Sequence, residues 1–175
     1  MKKLSIEEFD ELISLAQIKP RLKRELRFVN CVENMSDEEW DERELLSVSD
    51  RNGNNGVLLL ALDKGMYVLP YELKTGITSS ITGRSQSVIC DFCRTWQRGD
   101  KSASIRFLKS KNSSVHYLCC ADLLCSMHVR GKTDTSLTSR TQLREDMSAD
   151  QRIERLNTRL ADLVATLPIE PVLVD

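Results

Sequence analysis

The segment Tyr117-Leu118-Cys119-Cys120-Ala121-Asp122-Leu123-Leu124-Cys125, read together with Cys90-Asp91-Phe92-Cys93 upstream, decides the fold. The C-x-x-C spacing of Cys90 and Cys93 is that of a zinc knuckle, whose tight turn lets two thiolates converge on one metal. Zinc takes four ligands at tetrahedral angles, and the second cysteine segment supplies the other two. Between the two lies a β-hairpin signal: Ser104-Ile105-Arg106-Phe107-Leu108 reads as a strand, 109–114 as a polar turn, and Val115-His116-Tyr117-Leu118 as its partner. Knuckle, hairpin, then a helix from Asp122 to about Val129 with Gly131 as its stop is the order of a treble-clef finger. Asp122 is expected to be the N-cap and Cys125 the third helical residue.

Only one of Cys119 and Cys120 fits a four-ligand site. Cys120 is favoured because it lies closer to the helix start. Cys119 would then alternate onto the other face of the incoming strand as a core thiol. The expected ligands are Cys90, Cys93, Cys120 and Cys125, holding one structural zinc ion, with Cys119 still open as the third and His116 and His128 as reserves. Three other readings of the cysteines fit less well. A redox C-x-x-C calls for a parallel βαβ setting that does not follow here. A catalytic zinc needs an open coordination position, whereas four sulfurs argue for a closed one. Simple buried cysteines with no metal are the third, ranked below structural zinc, and for Cys31, far from the cluster in sequence, burial is the better reading.

Outward from the finger, the chain reads as α+β, with antiparallel β-hairpins and flanking helices. Ile6, Phe9, Leu12, Ile13 and Ala16 recur at helical spacing over 5–18, with Ser5 and Glu8 as a capping box. Lys19-Pro20 interrupts, and a second helix is expected over 21–33. Asp37-Glu38-Glu39-Trp40 opens a further short helix reaching Leu46. Asp50-Arg51-Asn52-Gly53-Asn54-Asn55-Gly56 is a turn signal, and 57–69 reads as a β-hairpin that Pro70 ends or edges. Residues 72–86 read as a loop and 132–139 as a polar connector. The last helix is expected over 148–166, with Ser148 and Gln151 at its cap and Pro168 and Pro171 in a loose tail.

The 175 residues suffice for one core-forming domain, and the formal net charge of −1 demands neither nucleic acid nor an acidic membrane as partner. The distribution is uneven: residues 90–132 hold eight Lys or Arg against three Asp. No run reaches the ~18 apolar residues of a membrane span. Ile6-Glu7-Glu8-Phe9-Asp10-Glu11 is too acidic for a signal peptide's apolar core. A cytoplasmic location is expected, where thiols stay reduced and available to metal.

The run from Tyr117 to Gly131 resembles the signature of FBP-type treble-clef zinc-finger proteins. These include the C-terminal domain of elongation factor G-binding proteins and the FusB-type fusidic acid resistance proteins. Phe28-Val29-Asn30, the stretch from Trp40 to Asp50, the hairpin from Val57 to Leu73, Cys90-x-x-Cys93 and the last helix agree with that family in order. The resemblance divides the chain into a helical extension at 1–25, the zinc-finger domain at 26–166 and a tail at 167–175. The FusB-type proteins carry a sizeable N-terminal helical bundle, and its role is not carried over to 1–25. Alignment on Tyr-x-Cys favours Cys119 as a ligand, and alignment on Cys-Ala-Asp favours Cys120. The resemblance implies a non-enzymatic protein that binds elongation factor G on or near the ribosome and promotes its release from stalled, drug-bound ribosomes. The basic segment suits an acidic partner, with Lys109, Lys111, Arg130, Lys132, Arg94 and Trp96 as expected contacts; Phe92 is the better candidate for core. An RNA-binding ribosomal zinc module is the alternative.

Overall fold

A computed structural model of the chain describes residues 1–16, 18–138 and 146–172. Its centre is a five-stranded antiparallel sheet in the order β1-β2-β3-β6-β7, from β1 (Leu45–Ser49), β2 (Asn55–Leu62), β3 (Gly65–Thr75), β6 (Ser102–Ser110) and β7 (Ser113–Cys120). Two short strands, β4 (Val88–Ile89) and β5 (Trp96–Gln97), pair with each other and carry the knuckle between them. Helices α1 (Ile6–Leu15), α2 (Pro20–Glu25), α3 (Phe28–Val32) and α4 (Asp37–Asp41) precede the sheet. Helices α5 (Cys125–Val129), α6 (Asp134–Thr138) and α7 (Ala149–Thr166) follow it.

Side chains alternate across a strand, so the unbroken apolar run Val57-Leu58-Leu59-Leu60 serves two faces at once. Val57 and Leu59, with Leu46, Val48 and Val68, pack under the N-terminal helices against Phe9, Ile13, Phe28 and Trp40. Phe9 and Phe28 stack there with ring centroids 4.2 Å apart. Leu58 and Leu60, with Leu69, Tyr71, Ile105 and Phe107, pack on the opposite face against Leu156, Leu160 and Leu163 of α7 and against the cysteines. The second face is covered from β1 to β7. The first is covered only over β1–β3, and farther along it Glu72, Lys74, Leu108, His116 and Leu118 are exposed.

Several expectations hold. The capping boxes Ser5–Glu8 and Ser148–Gln151 form, and Gly131 stops its segment in the left-handed region at φ 72°. Others are corrected. The single helix expected over 21–33 is broken, because Leu26 is extended (ψ 141°) and lets Arg27 donate its N–H to the Ser49 carbonyl. The helix expected from Asp37 to Leu46 stops at Asp41, and Leu45 already belongs to β1, paired with Leu60. Pro70 does not end the hairpin but sits inside β3 opposite Val57. The Leu73 N–H reaches Asn54 in the strand run-up, so by alternation the Pro70 nitrogen faces away from β2. On that side the ladder to β6 has already ended at Tyr71, so the missing donor leaves no gap.

Of the loop expected over 72–86, the first four residues extend β3. The connector expected over 132–139 contains α6; its last residue, and residues 173–175 of the tail, lie outside the described residues. The rest of the tail is docked: Leu167 is buried, and the Val172 N–H donates to the Met66 carbonyl at 2.7 Å. Among the described residues no helix is long and apolar enough to cross a membrane.

Candidate metal centre

The knuckle turns because Arg94 takes the left-handed conformation (φ 60°) and returns its N–H to the Cys90 carbonyl at 2.9 Å. For a residue with a Cβ that conformation costs roughly 1–2 kcal/mol, so the surrounding bonds must impose it. The Cys90 N–H donates to the Thr95 carbonyl, which closes the loop, and the Cys93 N–H points at Cys90 Sγ at 3.5 Å. Asp91 fastens the turn to the outer edge of β7: its N–H donates to the Leu118 carbonyl at 2.8 Å, and its Oδ2 accepts the Leu118 N–H at 2.7 Å.

The second pair comes from the end of β7 and the start of α5. Leu123, left-handed at φ 52°, reverses the chain and donates its N–H to the Cys120 carbonyl. Asp122 Oδ1 accepts the Leu124 N–H at 3.0 Å. The helix therefore begins later than expected, with Leu124 rather than Asp122 at the N-cap and Cys125 as its first residue.

These turns bring Cys90, Cys93, Cys120 and Cys125 together, all buried, with their sulfurs within 4.8 Å of one another. Cys90 and Cys125 Sγ are 3.8 Å apart, Cys93 and Cys120 3.5 Å, and Cys120 and Cys125 3.9 Å. A tetrahedron of sulfurs at about 2.3 Å from zinc has edges of about 3.8 Å, so the cage fits the ion. No disulfide joins them. The protonation chemistry also calls for a cation. Burial opposes ionisation of Cys93, but hydrogen bonds from Cys120, Cys125, Cys90 and His128 hold its thiol well below the usual range. Hydrogen bonds to Cys120, Cys90 and Cys93, with burial, push Cys125 well up. Zinc makes four thiolates affordable in the same volume. The chain carries one structural zinc site, and four sulfurs leave it no open position.

Cys119 is not part of it. It lies opposite Ala103 with its side chain in the core beneath the sheet, and burial pushes its thiol up. His116 sits on exposed β7, with Nε2 3.2 Å from Ser114 Oγ. His128 is one layer out from the sulfurs: Nδ1 is 3.2 Å from Cys120 Sγ and Nε2 is 3.4 Å from Asp122 Oδ2. Burial works against its proton, but the Asp122 carboxylate and Cys93 outweigh it and raise the imidazole to about 9. Thr95 Oγ1 donates to Cys93 Sγ at 3.1 Å. Sequence reasoning missed Thr95 altogether. His128 was legible only as a reserve ligand, although its place three residues after Cys125 puts it on the same helix face.

The basic residues divide into separate groups. Arg130 makes a two-pronged pair with Glu44 at 2.6 and 2.9 Å, largely shielded from solvent, and donates to the Ser126 carbonyl. Lys132 pairs with Glu42 at 2.6 Å. Both are engaged within the chain, across separations of 86 and 90 residues that no local pattern bridges. Lys109 and Lys111 are exposed at the far end of the β6–β7 hairpin, roughly 23 Å of strand from Cys120. Arg94 and Trp96 are half-buried on the knuckle, where the Arg98 guanidinium lies 5.9 Å from the Trp96 ring centre. Phe92 is core, 5.5 Å from the Tyr117 ring.

No curated protein and no solved structure matches the chain. The family model described as the FBP C-terminal treble-clef zinc-finger matches residues 17–167, most of the chain. With the four-cysteine cage in place between hairpin and helix, the chain belongs to the FBP C-terminal treble-clef zinc-finger family.

Proposed function

We propose that the chain is a non-enzymatic cytoplasmic binding protein whose partner is elongation factor G, and that it favours release of the factor from stalled ribosomes. The family match over residues 17–167 carries this reading, since FBP-type proteins are the ones the sequence resembles. The closed sulfur cage agrees with it, because a zinc ion with no free position organises a surface rather than a reaction. Release would come from binding energy that favours one conformation of the factor. The uncovered half of the sheet offers a place to dock. Leu108 and Leu118, 44% and 40% exposed, flank Arg106 there, with Lys109 and Lys111 at the rim. Arg130 and Lys132 support the finger from within and contribute less to contact than their charge implies.

Calorimetry against purified elongation factor G at micromolar concentrations tests the partner, and absence of heat and of complex would remove it. Lys109→Glu with Lys111→Glu tests the surface while sparing the internal pairs. Unchanged affinity in that double variant moves the interface elsewhere. The alternative, contact with ribosomal RNA, is favoured by Arg94, Trp96 and Arg98 clustered on the knuckle. RNA binding would weaken by about 0.7 log units per log unit of salt for each phosphate contacted. Parallel salt titrations against RNA and against the factor distinguish the two.

A further inference from the structure

We propose that His128 is a positioning residue for the metal centre: it donates its Nδ1–H to the Cys120 thiolate, with its other nitrogen facing the Asp122 carboxylate, and tightens zinc binding without itself being a ligand. The four sulfurs form one group among themselves, whereas His128 groups with Cys120 and Asp122. It therefore lies outside the tetrahedron, over the edge between Cys120 (3.2 Å) and Cys93 (3.9 Å). That edge joins the end of β7 to the knuckle, the two chain segments that zinc holds together.

The residue is 3% exposed and its side chain fully buried, so the ring has little freedom to leave. Its backbone is fixed in α5, where its N–H donates to the Leu124 carbonyl at 3.0 Å. Its far nitrogen faces Asp122 Oδ2 at 3.4 Å and has no hydrogen-bond partner among the described residues. Asp122 is held in turn by the Leu124 N–H on its other oxygen. The same sulfur edge receives the Thr95 hydroxyl on Cys93. Zinc with four thiolates carries about two excess negative charges, here in a site without solvent. A donor on a thiolate draws off part of that charge and holds the sulfur in the direction the metal needs.

The zinc-loaded full chain tests this with His128→Phe, which removes both ring nitrogens, and His128→Asn, whose amide nitrogen can stand where Nδ1 stood. Zinc transfer to a chromophoric chelator should show His128→Phe binding about 10–100-fold more weakly, and His128→Asn recovering most of the loss. The cobalt(II) forms should keep the charge-transfer intensity of four thiolates in all three proteins, with the band shifted in energy only in His128→Phe. Equal zinc retention by wild type and His128→Phe overturns the proposal, as does an asparagine variant no better than phenylalanine. A wild-type cobalt spectrum of three thiolates and one nitrogen would make His128 a ligand and also overturn it. If His128→Phe does not fold, wild-type protein loaded with a spin-half cadmium isotope decides. Magnetisation should pass from cadmium to the His128 ring N–H across the hydrogen bond, and its failure to do so rejects the proposal.

Discussion

Cys119 and Cys120 are chemically identical neighbours, and one peptide unit of strand alternation gives them different fates. Cys120 turns into the sulfur cage and Cys119 into the apolar core opposite Ala103. Cys120→Ser should abolish stoichiometric zinc retention after dialysis. Cys119→Ser should keep one zinc and lose about 1–3 kcal/mol for a buried hydroxyl without a partner; the reverse pattern would exchange their roles. Asp50 is a second residue whose worth lies in its bonds. Its carboxylate accepts the N–H groups of Asn52 and Asn54 and the Asn55 amide at 3.0–3.1 Å. Burial opposes its charge, but these donors outweigh it and hold the carboxyl below the usual range. A depressed folded value contributes stability in full above the unfolded pKa of about 3.9 and loses it as pH falls through the folded one. Asp50→Ala should therefore cost roughly 1.5–3 kcal/mol at neutral pH. Its gap from wild type in urea unfolding should narrow as pH falls below about 4. A gap that stays constant down to acid unfolding would contradict this.

At the scale of elements, β2 depends on a glycine at one position. A Cβ on Gly56 would stand 2.5 Å from the Val48 carbonyl oxygen and 2.6 Å from Tyr71 Oη. Tyr71 cannot easily yield, because its hydroxyl is bonded to Ser47 Oγ at 2.7 Å in the core. Gly56→Ala should destabilise by about 1–3 kcal/mol through overpacking, seen as a lower urea midpoint at unchanged slope. The elements that were legible in the sequence were those whose signals are local. Ser148-x-x-Gln151 announced α7, and the spacing of the cysteines announced the knuckle and the cage. The elements that were misread are decided by distant partners. Leu45-Leu46 became strand because Leu60 and Leu59 pair with them, and Arg27 broke a helix to reach Ser49. Arg130 looked like free surface charge until Glu44, fixed by β1, came beside it. The same holds within the metal centre. Spacing marked Cys90, Cys93 and Cys125 and left the remaining ligand between Cys119 and Cys120, whereas Thr95 and His128 act through directions that only the folded turns set.

For the whole molecule, one sheet lies between two cores, and zinc belongs to only one of them. Cys90, Cys93, Cys120 and Cys125 share a cluster with Leu156, Leu160 and Leu163 of α7. Trp40 lies in the other cluster beneath the N-terminal helices, at 1% exposure. Two kinds of link run between the halves among the described residues: strands shared by both cores, β1 and β3 as well as β2, and polar contacts. Alternate residues of β2, Val57 and Leu59 against Leu58 and Leu60, belong to opposite cores, so neither survives disorder of that strand. The other link is polar: Arg130 with Glu44, Lys132 with Glu42, and the Glu44 N–H donating to Ser126 Oγ at 3.0 Å join α5 to the chain entering β1. If both links transmit, stripping zinc from one core should open the other. The chain has two tryptophans, one beside the knuckle and one in the far core. In Trp96→Phe only Trp40 reports. Its emission should shift to the red in step with zinc loss to a chelator, and return when zinc is restored. Adding Arg130→Ala should make that shift occur at lower chelator concentration, because it removes the polar link and leaves Glu44 in a shielded site without its cation. If Trp40 keeps its buried emission after the metal has gone, the two cores unfold separately. The zinc then stabilises only the finger and α7, and the N-terminal helices hold their half of the sheet alone.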